Sequence, residues 1–152
     1  KVYYSEDIFV GYRGFEKRGI KLLFAFGHGL SYTEFEYSDI RLSKECIKDG
    51  EMLQASVTIT NRGKHAGKEV VQLYIADKEA SVARPAKELK GFEKVALEPG
   101  ESKVVTFNIT PEALSFYDDR GEGEWRTESG EFEVLIGSAS DDIRLSKRFT
   151  LE

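Results

Sequence analysis

One cysteine, three prolines, two histidines and one tryptophan occur in 152 residues, and each shortage closes off a kind of chemistry. With Cys46 alone, no intrachain disulfide can form and a cysteine-rich tetrahedral zinc site is excluded. No sequence neighbour would lower the pKa of that thiol, so Cys46 reads as structural. A lone cysteine also tilts the compartment toward cytoplasmic rather than secreted. His28 and His65 are too far apart for metal-ligand spacing, so no metal is expected. Basic residues are the minority, 22 Lys and Arg against 27 Asp and Glu for a net charge of −5. Without a basic face to neutralise phosphates, nucleic acid is not an expected partner. No apolar run approaches the roughly 20 residues that span a bilayer, so no membrane partner is expected either. There is no Walker loop, and Gly11-Tyr12-Arg13-Gly14 lacks the spacing and the preceding strand of a dinucleotide fingerprint. No cofactor is expected. The opening residues KVYYSEDIF carry neither a basic-then-apolar leader nor an initiator methionine, which reads as a start inside a longer protein.

What is present is ordinary for a globular domain: 40% hydrophobic and 32% charged residues, in a chain long enough to bury a core without staples. The aromatics, however, are unevenly spread. Tyr3, Tyr4, Phe9, Tyr12, Phe15, Phe24, Phe26, Tyr32, Phe35 and Tyr37 crowd the first quarter, together with Gly11, Gly14, Gly19, Gly27 and Gly29. That quarter shows no sustained period of 2 or 3.6. It is too apolar for a disordered tail and too irregular for a core of its own, so it should lie against another surface. Residues 1–33 therefore read as an irregular arm.

From about Glu34 the pattern alternates. Leu53, Ala55, Val57 and Ile59 sit at period 2 and end in the turn Asn61-Arg62-Gly63. Val71, Leu73 and Ile75 share one face, with Val70 and Tyr74 on the other. Val95 and Leu97 end a strand at Glu98-Pro99-Gly100, a turn with proline at its second corner. Val105, Phe107 and Ile109 follow, then Phe132, Val134 and Ile136, then Phe149 and Leu151. Short strands joined by turns predict an all-β, antiparallel sandwich over residues 34–152. The one helical signal is Thr110-Pro111-Glu112-Ala113-Leu114, with Thr110 as N-cap and Pro111 in the first helical position; a single turn crossing between sheets is expected.

Candidate chemistry is sparse. His28, Ser31 and Asp39 could be imagined as a nucleophilic triad, but Gly-His-Gly-Leu-Ser-Tyr is not the Gly-x-Ser-x-Gly elbow. A histidine that hydrogen-bonds within its own loop is the better reading. The acidic run Asp118–Glu124 lacks the ligand pattern of a calcium loop and reads as a solvated hairpin tip. As a glycosidase carboxylate pair it fails too, because a tip does not hold two carboxyls at a fixed separation. His65 sits in a solvated basic turn. Trp125 could stack on a sugar, although a lone tryptophan after a hairpin more often packs onto a sheet.

Resemblance carries the reading further. Tyr4-Ser5-Glu6-Asp7-Ile8-Phe9-Val10-Gly11-Tyr12-Arg13 is similar to the exit from the second catalytic domain of family 3 glycoside hydrolases of the β-glucosidase type. Phe26-Gly27-His28-Gly29-Leu30-Ser31-Tyr32-Thr33 resembles that family's junction into its last domain. Ala66–Tyr74, Lys87–Phe92, Leu114–Asp118 and Gly130–Val134 resemble its C-terminal fibronectin type III-like domain. The resemblance implies a fibronectin type III, immunoglobulin-like sandwich for residues 34–152. It also implies that residues 1–33 are the junction from the preceding catalytic domain. Leu22, Ala25 and Ala83 stand where the family usually has proline. Such replacements enlarge unfolded-state freedom by roughly 0.4–1 kcal/mol each where the geometry suits proline.

In that family an aspartate nucleophile and a glutamate acid/base come from the two upstream domains, and neither motif is in this chain. The resemblance thus implies a non-catalytic module that buttresses catalytic domains, with Phe9, Tyr12, Phe24, Phe26, His28 and Tyr32 in the seam. Two other roles are open: a glucan-binding module using Trp125, Tyr117 and Phe116, or a dimerisation module pairing two copies. The chain by itself should show no turnover of an aryl β-glucoside; hydrolysis at an enzyme-like rate would overturn the assignment.

Overall fold

The computed structural model describes residues 6–118 and 123–152. Ten strands and two short helices follow one another as α1 (Tyr12–Lys17), β1 (Phe35–Leu42), β2 (Cys46–Ile47), β3 (Leu53–Asn61), β4 (Gly67–Asp77), β5 (Glu88–Leu97), β6 (Ser102–Ile109), α2 (Pro111–Leu114), β7 (Phe116–Asp118), β8 (Glu124–Arg126), β9 (Gly130–Ala139) and β10 (Asp142–Leu151). One sheet has the order β1-β3-β6 and the other β2-β10-β9-β4-β5, with β7 and β8 forming a separate hairpin. The two larger sheets face each other as a sandwich.

The alternating residues build its interior. Leu53, Ala55, Val57 and Ile59 of β3 are completely buried, and Val71, Leu73, Val134, Ile136 and Phe149 meet them from the second sheet. Each such side chain gains roughly 1.5–3 kcal/mol on leaving water. Phe132 and Phe149 are directly opposite in the β9–β10 pair and stack with centroids 5.6 Å apart. The outward positions Gln54, Ser56 and Thr58 alternate with the buried ones. This is the fold that the period-2 pattern predicts.

Several details refine or correct the sequence reading. Phe35 and Tyr37, just past the arm at the start of the sandwich, are buried on β1 and belong to the core. Strand β2 pairs in parallel with β10, Cys46 opposite Thr150 and Ile47 opposite Leu151, so the second sheet is mixed rather than wholly antiparallel. Cys46 itself is exposed while Ile47 is buried. Its thiol is pushed above the usual range by desolvation and by the neighbouring Glu152 and Glu51 carboxylates. Asp39 occupies a bulge in β1 at φ 54°, where the register with β3 shifts between Ser38 and Arg41. The helix α2 does start at Pro111 after Thr110, on the path from β6 to the β7–β8 hairpin, but the Thr110 side chain makes no capping bond.

Two of the connections that pass the chain from one sheet to the other meet at a single residue. Between β5 and β6, Pro99 and Gly100 form a turn closed by Glu101 N–H donating to the Glu98 carbonyl at 3.0 Å; Gly100 has the φ of +80° that a type II turn demands. Between β3 and β4 runs the loop that begins at Asn61, a completely buried polar residue. Its Nδ2 donates to the carbonyls of His65 (2.8 Å) and Leu97 (3.0 Å), and its Oδ1 accepts from Gly63 N–H (3.0 Å) and the Thr33 hydroxyl (2.7 Å). Its backbone N–H donates to Glu101 O at 2.9 Å, and its carbonyl accepts from Gly100 N–H at 2.8 Å. One amide thus joins both crossovers, the end of β5 and the end of the N-terminal arm.

Asn61→Ala would strip the Leu97 and His65 carbonyls and the Gly63 N–H of these partners in a dry site, destabilising the sandwich by roughly 2–4 kcal/mol. Asn61→Asp keeps the acceptor but not the two donors and should not rescue it. Urea unfolding of both variants checks this, and wild-type stability in Asn61→Asp would reject the account.

Candidate functional site

The segment 6–33 is two-faced, and its inner face rests on the outer surface of the second sheet. Helix α1 is short but firmly ended. Gly19, at φ 63°, lets Ile20 N–H donate to Phe15 O (3.0 Å) and Gly19 N–H to Glu16 O (3.1 Å), the paired bonds of a Schellman motif. Gly14 is buried where any Cβ would lie 2.1 Å from the Phe9 carbonyl oxygen, so only glycine lets that turn close. Phe9 itself is held under the Lys17 ammonium, 3.3 Å from its ring centroid.

From this helix Tyr12 stacks on Phe26 at 5.0 Å and meets Tyr74 of β4 edge-on at 6.3 Å. The Tyr12 hydroxyl accepts the Leu89 N–H of β5 at 3.0 Å. Ion pairs flank the stack: Lys87 with Glu16 and Arg13 with Glu88, both at 2.8 Å. Farther along, Phe26 O accepts Ser140 N–H at 2.9 Å. Gly27, at φ 85°, lies so close to Gln72 that a Cβ would come 2.2 Å from its Nε2. Gln72 cannot readily move, because Nε2 donates to Ser138 O (2.8 Å) and Oε1 accepts from the Tyr74 hydroxyl (2.5 Å). Burial by these neighbours pushes the Tyr74 phenol well above its usual range.

The outer face of the same segment is largely exposed to solvent. Leu23, Leu30 and Tyr32 are 95%, 94% and 97% exposed, and Phe24 is 74% exposed with the His28 ring against it at 5.2 Å. Of the six residues expected to lie in a seam, Tyr12 meets the sheet and Phe26 stacks on Tyr12 while staying partly exposed, Phe9 packs within the arm against Lys17, and Phe24, His28 and Tyr32 face solvent. Tyr3 and Tyr4 lie outside the described residues. His28 does fix its loop, but through its backbone N–H, which donates to Ala25 O at 3.0 Å. Ser31 Oγ accepts from Thr33 N–H at 3.4 Å, and Asp39 is in the β1 bulge, so the imagined triad is not assembled.

Beside this segment lies a groove of about 630 Å³, bounded by Gly27, His28, Leu30, Glu69, Val70 and Arg144, among others. Arg144 donates to Phe35 O (2.6 Å) and to the Asp142 carboxylate (2.8 Å), and it covers the Tyr37 ring at 4.8 Å. It holds the Asp142 carboxyl below the usual range, whereas burial pushes the Glu69 carboxyl up. Nothing here pairs a nucleophile with a base, and the described residues hold no group of three metal-ligating side chains.

The other proposed contact site changes more. Phe116 is only 8% exposed and lies under the Arg84 guanidinium, 5.3 Å from its ring centroid, so it offers no face to a sugar. Arg84 is fixed there by Asp77 at 2.7 Å and Glu88 at 3.3 Å. Trp125 does not pack onto a sheet; it is 70% exposed and meets Tyr117 at 70° rather than in a plane. Two perpendicular rings do not make a flat stacking row. Of the acidic run, Asp118 is buried, not solvated, and 119–122 lie outside the described residues. Sequence reasoning missed Gln72, Lys87 and Leu89 as partners of the arm; the apolar stretch Val70–Ala76, interrupted only by Gln72, is the signal that could have found them.

Comparison with known proteins agrees with this geometry. Residues 69–140 match the family model of the fibronectin type III-like domain. The chain carries that domain. It is 53% identical over 147 residues to thermostable beta-glucosidase B of Acetivibrio thermocellus, covering 97% of this chain and 19% of that protein. Among solved structures, the Kluyveromyces marxianus beta-glucosidase in complex with glucose superposes with a TM-score of 0.90 at 46% identity, over 99% of this chain and 18% of that one. Beta-glucosidase 3B from Thermotoga neapolitana gives 0.89 at 44% identity, over 99% and 20%. The fibronectin type III-like chain therefore spans about a fifth of the length of these relatives.

Gly27→Ala combines an unfavourable φ with a clash against an immobilised Gln72, at a cost of roughly 1–3 kcal/mol. The inner face of the arm should lift as a result. Hydrogen exchange is expected to show faster Leu89 and Ser140 amides with β3 amides unchanged; undisturbed protection at Leu89 would reject this picture of the docking.

Proposed function

We propose that this chain is the non-catalytic, C-terminal module of a β-glucosidase-type family 3 glycoside hydrolase, joined to its catalytic domains through residues 1–33, with the sandwich proper beginning at residue 34. The observation that carries the reading is the two-faced arm. Its inner side is fixed on β4 by Tyr12, Phe26 and Gly27, while its outer side exposes Leu23, Phe24, Leu30 and Tyr32 together. A clustered apolar surface of this kind marks an interaction site. The similarity to about a fifth of much longer beta-glucosidases supplies the partner, namely the remainder of the same polypeptide. In this reading hydrolysis of terminal β-linked sugars belongs to the upstream domains, and the module stabilises them by covering apolar surface on both sides of the seam.

In the full-length polypeptide, Phe24→Asp combined with Tyr32→Asp should lower the unfolding temperature of the assembled enzyme by several degrees, read by calorimetry. In the 152-residue chain the same pair should be nearly neutral, because these side chains are already in water. Equal behaviour in the two contexts would sink the proposal, and loss of a concentration-dependent dimer of the chain in sedimentation would favour self-association instead.

A further inference from the structure

The apolar surface does not stop at the arm. Phe92 is 68% exposed in β5, the edge strand of the five-stranded sheet. It is directly opposite Gln72 in the β4–β5 register, and residues so paired point to the same side of a sheet. Gln72 lies against Gly27, so Phe92 is one side chain away from the arm on the same outer face. The next outward pair is Val70 opposite Lys94, and Val70 also borders the groove that runs to Leu30. Phe92, Val70 and the loop 26–30 therefore form one continuous surface made partly by the sandwich itself.

A phenylalanine presented to water in an edge strand is a liability, and the exposed Lys94 beside it is the kind of residue that discourages pairing with foreign strands. The sandwich interior closes here without a side chain: the inward neighbour is Gly91, where a Cβ would come 3.2 Å from Phe107 of the opposite sheet, while the Phe92 ring points outward.

We infer that Phe92 is a docking residue for the catalytic portion of the same polypeptide, so that the seam is built from the outer face of β4 and β5 as well as from residues 1–33. The inference rests on the module reading above and names a further residue for it. The partner it requires is an apolar surface that continues from the one meeting Phe24 and Leu30. The length missing relative to the similar beta-glucosidases, about four-fifths of each, supplies such a surface within one chain.

The test places Phe92→Asp in the full-length polypeptide beside Val104→Asp, a similarly open position on the opposite sheet. Phe92→Asp should shift the calorimetric transition down by at least ~2 °C or split it, and Val104→Asp should leave it in place. Equal shifts for both variants overturn the inference. The arm variant Phe24→Asp with Tyr32→Asp is the reference: if it shifts the transition and Phe92→Asp does not, the β5 surface falls while the module reading stands. If neither acts, both fall. Phe92→Ser is carried as the milder variant should the aspartate not fold, and the same ordering is required of it. Abolition of a dimer of the 152-residue chain by Phe92→Asp would make a second copy the occupant and overturn the inference.

Discussion

Strand β4 has to be covered on both sides. Six consecutive residues, Val71 to Ala76, are buried, whereas a strand in a two-layer sandwich ordinarily buries every second one. Val71, Leu73 and Ile75 are satisfied by the facing sheet. Gln72 and Tyr74 are not, and the rest of the molecule is arranged around that need. The arm supplies the missing layer with a tyrosine–phenylalanine stack and a glycine that approaches the Gln72 amide. Because both polar groups on this face, the Gln72 amide and the Tyr74 hydroxyl, bond to each other, the layer can be placed over them without stranding a donor.

That arrangement explains the division of labour within the arm. Residues whose side chains meet β4 must be aromatic or absent, which is why Tyr12, Phe26 and Gly27 occupy these positions. Glycines at 11, 14 and 19 let a helix of only six residues start, close and stop. Ion pairs from Arg13 and Glu16 to β5 and the preceding loop add register more than energy, since partly exposed pairs contribute about 1 kcal/mol at most. The remaining apolar residues, Leu23, Phe24, Leu30 and Tyr32, are the ones left in water.

The parts legible in the sequence are those where burial is one-sided. β3, β6, β9 and the end of β10 announce themselves by alternation, and Pro99-Gly100 announces its turn. What turn chemistry does not reveal is that this turn bridges the two sheets instead of closing a hairpin; that depends on Asn61, whose side-chain amide reaches Leu97 and Thr33, both far away in sequence. Strand β2 is too short to show any period. Among candidate site residues, their aromatic character was visible but their direction was not. Tyr12 and Phe24 look alike in sequence, and only the register of the arm on β4 turns one inward and the other out.

The run LFAFGHGLSYT serves the path of the chain. Its histidine is occupied with Phe24, its serine with Thr33, and its glycine at 27 with Gln72. Each potentially reactive group is held by a local contact that serves the path of the chain. At the far end Thr33 hands that path to Asn61, the residue that ties both sheet crossovers. A displacement of the arm is thereby linked through a single hydrogen bond to the polar centre of the sandwich. The end of the arm and the buried amide that joins the β3–β4 and β5–β6 crossovers are thus in direct contact.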